Sequence, residues 1–162
     1  MKLSSPTAIA LGSVTDPRLA SLQSALNLLI YVDSGAGQSM CSCPDAFLSL
    51  RPCAIEVLGV SGSLPVFGVG TAMFVVQAVS DLPVVVLIHN CLLSQGSSFN
   101  LLSVSQFQSS GINTADFTVG APALTLRSRR GPMVLPLVLN DGLYGFSAEP
   151  LQPNDVSEIL CL

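Results

Sequence analysis

Short apolar runs alternate with clusters of Gly, Pro, Ser, Asn and Asp along the whole chain, and this punctuation predicts its elements. Leu26-Asn27-Leu28-Leu29-Ile30-Tyr31-Val32 is apolar at nearly every position and ends in β-favouring residues, which predicts a strand buried on both faces. It delivers Asp33 onto the turn Ser34-Gly35-Ala36. Two readings fit this turn. Asp, Ser and Gly are common turn residues for local reasons; equally, a rigid strand can hold an acid for chemistry. In the second reading Ser34 adds a hydroxyl, Gly35 removes the Cβ that would block a close backbone, and Ala36 keeps the turn narrow.

Upstream, residues 1 to about 15 read as a flexible leader, and Asp16-Pro17 followed by Leu19, Leu22 and Leu26 predicts a short helix. Downstream, Pro44-Asp45-Ala46-Phe47-Leu48 predicts one helical turn, stopped at Arg51-Pro52. Ala54–Leu58 and Leu64–Phe67 flank Gly59-Val60-Ser61-Gly62-Ser63, the outline of a β-hairpin with an uncharged, glycine-bearing tip. Gly68-Val69-Gly70 lacks the Lys-Ser/Thr and the helix of a phosphate loop, so the glycines mark a bulge or a close backbone approach. Thr71–Val79 and Val84–Ile88 are strands, and the residues after Asn100-Leu101-Leu102-Ser103 run as a short helix. Thr114–Val119, Ala123–Arg127, Met133–Leu139 and Leu143–Phe146 are further strands, the last entered through the turn Asn140-Asp141-Gly142. The tail is loose until Val156–Leu162. Many short strands and at most two short helices define an all-β fold, a closed barrel or sandwich.

Composition narrows the function. The length of 162 residues suits one domain. With 49% apolar and 10% charged residues, the chain should bury part of its surface in a partner or come from a larger polyprotein. A net charge of -4 argues against direct nucleic-acid binding, and Arg127, Arg129 and Arg130 read as a solvated hairpin tip. No run approaches the roughly 18 apolar residues of a membrane span, and Ala8–Leu11 is too short for a signal peptide, so a cytoplasmic chain is expected. Five cysteines without framework spacing suggest reduced thiols, and Cys41-Ser42-Cys43 with a single distant histidine, His89, does not make a zinc site. Neither metal nor cofactor is expected.

The order of these motifs, Asp33-Ser34-Gly35-Ala36, glycine-tipped hairpin, Gly-x-Gly strand, apolar strand, Asn100-Leu101-Leu102-Ser103-Val104-Ser105-Gln106, then Asp141-Gly142-Leu143-Tyr144, resembles the protease of Ty1/copia-type LTR retrotransposons, a branch of the retropepsin-like aspartic proteases. The resemblance spans roughly Leu28 to Phe146. It implies a retropepsin-like barrel or sandwich with a flap: a leader over 1–25, the domain over 26–147, and a tail over 148–162 that is a possible dimer-interface strand. It implies Asp33 as the catalytic acid and Ser34, Gly35 and Ala36 as its loop. Gly59, Val60, Ser61, Gly62, Ser63 and Leu64 would form the substrate-binding flap, and Leu101, Leu102 and Ser103 would brace the loop from behind. Gly37 and Ser39-Met40 depart from the Ser/Thr and His-Met often found after Asp-Ser-Gly-Ala, which bears on loop hydrogen bonding.

Aspartic proteolysis needs two carboxylates around one water. Asp45, Asp81, Asp116 and Asp141 lack the Asp-Ser/Thr-Gly context, so the second carboxylate is expected from Asp33 of a second copy, in a homodimer that cuts a peptide or polyprotein. Two such neighbours cannot both ionise cheaply, which places activity on the acidic side of neutral. By the same resemblance the setting is a retrotransposon particle. The competing expectation is a catalytically inactive or domesticated retropepsin-like domain that dimerises or holds peptides without cutting them. An unrelated β-sandwich module is the third.

Overall fold

A computed structural model describes residues 8–13, 28–59, 62–79, 83–109, 111–128 and 131–151. The helix expected at 16–26, the apolar end of the tail at 156–162, Val60, Ser61, Asp81, Arg129 and Arg130 lie outside the described residues.

The fold is all-β, a mixed sheet closed on itself. Strand β2 (Leu28–Asp33) pairs in parallel with β7 (Asn100–Ser103) and antiparallel with β12 (Leu143–Pro150). From β12 the ladder passes to β5 (Gly62–Gln77), then to β6 (Pro83–Leu93), to the short β3 (Met40–Cys41), and through Met40↔Leu101 back to β7. This closure is what makes it a barrel, because a ring of strands leaves no open edge along its circumference. β1 (Ala8–Ser13) extends the sheet beyond β6, and β4 (Phe47–Gly59) extends it beyond β5. Ile30, Val32, Phe74, Leu102, Phe107 and Phe146 fill the centre of the main core.

Several details differ from the expectations and have local causes. Ala8–Ser13, read as leader, is a strand paired to β6, where a short apolar run gains a ladder that sequence alone does not reveal. β12 passes the domain boundary expected at 147, with Ala148, Glu149 and Pro150 paired to β5. β2 is not covered on both faces: Ile30 and Val32 are buried, whereas Leu29, Tyr31 and Asp33 are only half-covered. Across from Tyr31 stands Gly145, which has no side chain to cover it. A Cβ at Gly145 would lie 2.8 Å from the Ile30 carbonyl oxygen, so the bare position is required by the close approach of the two strands.

The expected turn at Pro44 shrinks to a 3-10 turn over Pro44–Ala46, and Arg51-Pro52 lies inside β4. Pro52 is tolerated there because β4 ends the sheet and its ladder is irregular between Pro52 and Ile55. The hairpin β4–β5 forms as predicted, Gly59 opposite Gly62. Its underside continues into a second apolar cluster of Met40, Val66 and Leu92, against which Cys53, Val57, Leu64, Val69 and Leu101 pack. Gly70 is the predicted close approach: a Cβ there would overlap the Ser49 carbonyl oxygen.

After β7 comes α1 (Val104–Gln108), with Ser103 as its N-cap. A second, three-stranded sheet follows, of β8 (Thr114–Asp116), β9 (Ala123–Ser128) and β10 (Gly131–Pro136), which sends Leu124, Leu126 and Leu135 into the main core. Buried Asn113 fastens it to α1, donating to the Phe107 carbonyl at 3.4 Å and accepting from the Arg127 N–H at 3.1 Å. β11 (Val138–Asn140) and β12 form the predicted hairpin through Asp141 and Gly142, both left-handed with φ 49° and 83°.

Candidate active site

Asp33 is the last residue of β2, in register with Ser103 at the end of β7. Two parallel strands thus finish side by side, one offering a carboxylate and the other the cap of a helix. The chain then leaves β2 through Ser34-Gly35-Ala36. The Gly35 N–H donates to Asp33 Oδ1 at 2.7 Å, closing the turn on the acid itself. A Cβ at position 35 would sit 3.3 Å from that oxygen, so glycine keeps the carboxylate uncrowded. Asp33 and Ala36 are half-buried, while Ser34 and Gly35 are exposed.

The far side of the turn is pinned by side chains of the Asn100–Gln106 run. Ser103, fully buried, donates through Oγ to the Ala36 carbonyl at 2.6 Å and accepts from the Gln106 N–H at 3.2 Å. Ser105 Oγ lies 3.2 Å from the same Ala36 oxygen and 3.0 Å from Ser103 Oγ. The Ser103 N–H donates to Ser39 Oγ at 3.1 Å, and the Ser39 N–H donates to Gln106 Oε1 at 2.8 Å. Asn100 does similar work one layer down: its Oδ1 accepts from the Ser42 N–H (2.9 Å) and Oγ–H (3.1 Å), and its Nδ2 donates to the Leu29 carbonyl at 3.3 Å.

The structure therefore brings together Asp33, Ala36 and Ser103 of the predicted site. Leu102 is core, and Leu101 joins the apolar cluster beneath the hairpin. Of the predicted flap residues, Leu64 is half-buried and packs against that cluster, whereas Gly59, Gly62 and Ser63 are exposed towards the tip. Asp45 stands in the 3-10 turn, Asp116 on the second sheet, hydrogen-bonded to Thr118, and Asp141 in the β11–β12 turn. Sequence reasoning assigned no role to Ser39, Asn100, Ser105 or Gln106. The signal was present, since Asn100, Ser103 and Gln106 recur every third residue through a strand-to-helix junction that is apolar apart from Ser105.

The nearby thiols and imidazole are quiet groups. Burial pushes the Cys41 thiol up to about 12, with the neighbouring Cys43 adding to the rise and a backbone hydrogen bond to Cys43 opposing it. Burial also raises Cys91 well above its ordinary value. His89, hydrogen-bonded to Thr71 Oγ1 at 3.0 Å, is held below its ordinary value by burial. Among the described residues no cluster of His, Cys, Asp and Glu is arranged to hold a metal ion.

Fold and site together define an all-β barrel that presents one acid from the end of a central strand, on a turn secured by a strand-to-helix junction. The family model described as "Pol polyprotein, beta-barrel domain" matches residues 30–112, just over half of the chain. The chain belongs to this family and is a retroelement Pol-like region, a component of a polyprotein. The matched span runs from within β2 past α1 and so includes Asp33, the hairpin and the Asn100–Gln106 run. No curated protein and no solved structure matches the chain.

Proposed function

We propose that the chain is the aspartic endopeptidase of a retroelement polyprotein, active as a homodimer in which two Asp33 carboxylates share one water. The observation that carries this reading is Asp33 itself: an acid at the end of a barrel strand, on a turn of small residues whose Ala36 carbonyl is fixed by Ser103 at 2.6 Å. A carboxylate meant only to close a turn does not need a second strand and a helix cap behind it. One Asp33 takes the water's proton while the other donates to the scissile carbonyl, and the second copy supplies what one chain lacks. Ser34 is exposed, and in the homodimer its hydroxyl would bond across the two-fold axis beneath the paired acids. The β4–β5 hairpin, with its apolar underside, holds the substrate as an extended strand through backbone groups. The particle of the parent element, in the cytoplasm, is the setting this function requires.

The test is cleavage of a peptide panel drawn from the parent polyprotein. The Asp33→Asn variant is expected to fold and to cut nothing. Retained cleavage by that variant would remove Asp33 from the chemistry. A wild-type chain that binds a statine-containing peptide but leaves every substrate intact would instead favour a peptide-holding domain.

A further inference from the structure

The β5–β6 ladder is in register at Ala72↔Ile88 and again at Gly70↔Cys91, so His89 and Asn90 together face the single residue Thr71. This is a β-bulge. Asn90 is also left-handed, φ 53°. In an extended strand successive carbonyls point to opposite sides; here the bulge brings those of His89 and Asn90 to one side, where Gln106 Nε2 donates to both, at 3.2 and 3.4 Å. The other end of the same carboxamide accepts from the Ser39 N–H at 2.8 Å. The network fixes the amide orientation, since only Oε1 can receive an N–H and only Nε2 can serve two carbonyls. No other uncharged side chain of this reach both accepts at one end and donates twice at the other. Ser39 is fully buried and in turn accepts from Ser103, whose hydroxyl holds Ala36.

We infer that Gln106 is a positioning residue for the Asp33 turn, locking its exit segment at Ser39 to the β6 bulge; as a claim about catalysis this rests on the peptidase reading. It acts through Ser39 and Ser103 and does not touch the reacting atoms.

The test uses the full 162-residue chain and two variants, Gln106→Met and Gln106→Glu, with amide hydrogen exchange and peptidase kinetics as readouts. In Gln106→Met, exchange at the Ser39 and Gly35 amides is expected to rise about tenfold or more while amides of β5 keep their protection. With it kcat falls about tenfold or more and KM stays within about twofold. Gln106→Glu loses the donor at neutral pH. Its protonated carboxyl can again accept and donate, so its kcat relative to wild type climbs on acidification. Unchanged Ser39 exchange, unchanged kcat, a loss of protection spread over β5 as well, or a Glu-to-wild-type ratio flat with pH would each overturn the inference. If the wild-type chain cleaves no peptide, the peptidase reading fails by itself. The positioning role is then decided by exchange at Gly35, acceleration supporting it and no change overturning it.

Discussion

Replacing Ser103 by alanine removes one oxygen from a fully buried position and tests how the candidate site is held. That oxygen caps α1 through the Gln106 N–H at 3.2 Å, and loss of a helix cap costs about 1 kcal/mol. It also donates to the Ala36 carbonyl at 2.6 Å, a bond worth about 1 kcal/mol net. Ser105 Oγ, 3.2 Å from the same carbonyl, can take over part of the second loss. Ser103→Ala should therefore cost about 2 kcal/mol, which in a chain of this length lowers Tm by about 4–8 °C. Ser105→Ala alone should cost about 0.5 kcal/mol or less. The double variant should exceed the sum, because it leaves Ala36 without either hydroxyl. Urea unfolding at one fixed protein concentration measures all three, the fixed concentration being necessary if the chain dimerises. A Ser103→Ala variant within about 0.5 kcal/mol of wild type, additive with Ser105→Ala, would refute the claim that this network secures the turn.

Three further outcomes follow from the geometry. Gly70→Ala should destabilise the chain by about 2 kcal/mol, since its Cβ meets the Ser49 carbonyl, while Gly37→Ala, with nothing within 4 Å, should stay within about 0.5 kcal/mol; thermal unfolding of the pair checks the contrast. Cys41 is raised from 9.0 to about 12, so the stability it contributes is complete below pH 9 and is lost as pH rises from there towards 12, visible as falling urea midpoints in alkali and as resistance of Cys41 to alkylation at neutral pH. His89 works in the opposite direction: its value is lowered from 6.5, so its contribution is present above pH 6.5 and is lost as pH falls through the folded-state value, and a His89→Gln variant should lose less stability on acidification than wild type.

Much of the barrel was legible because its strands are short apolar runs bounded by Gly, Pro and Asn-Asp-Gly, and period and punctuation act locally. Thus the β4–β5 hairpin, the close approach at Gly70 and the left-handed turn at Asp141-Gly142 were all readable. What escaped was set by partners distant in sequence. Ala8–Ser13 is a strand only because β6 is beside it, and the half-covered face of β2 depends on Gly145, more than a hundred residues away. The site divides in the same way. Asp33-Ser34-Gly35 is a local pattern legible as a turn, and only the hairpin and the Asn100–Gln106 run that follow it in sequence point beyond a turn. The hydrogen bonds that hold it join Ser39 to Gln106 and Ala36 to Ser103, and a hydroxyl or amide in a sequence does not say which backbone group it will meet. The bulge at His89-Asn90, which gives Gln106 its second anchor, left no mark beyond an asparagine after a β-prone run.

On the peptidase reading, Asp33 is half of an active site that a second copy of the chain completes. The most direct measurement is the separation of the two Asp33 carboxylates in a crystal structure of the assembled protein. A two-fold axis between them is expected, with carboxylate oxygens about 3 Å apart, close enough to share a proton. Asp33 carboxylates on outer faces of the assembly, too far apart to hold one water between them, would contradict it.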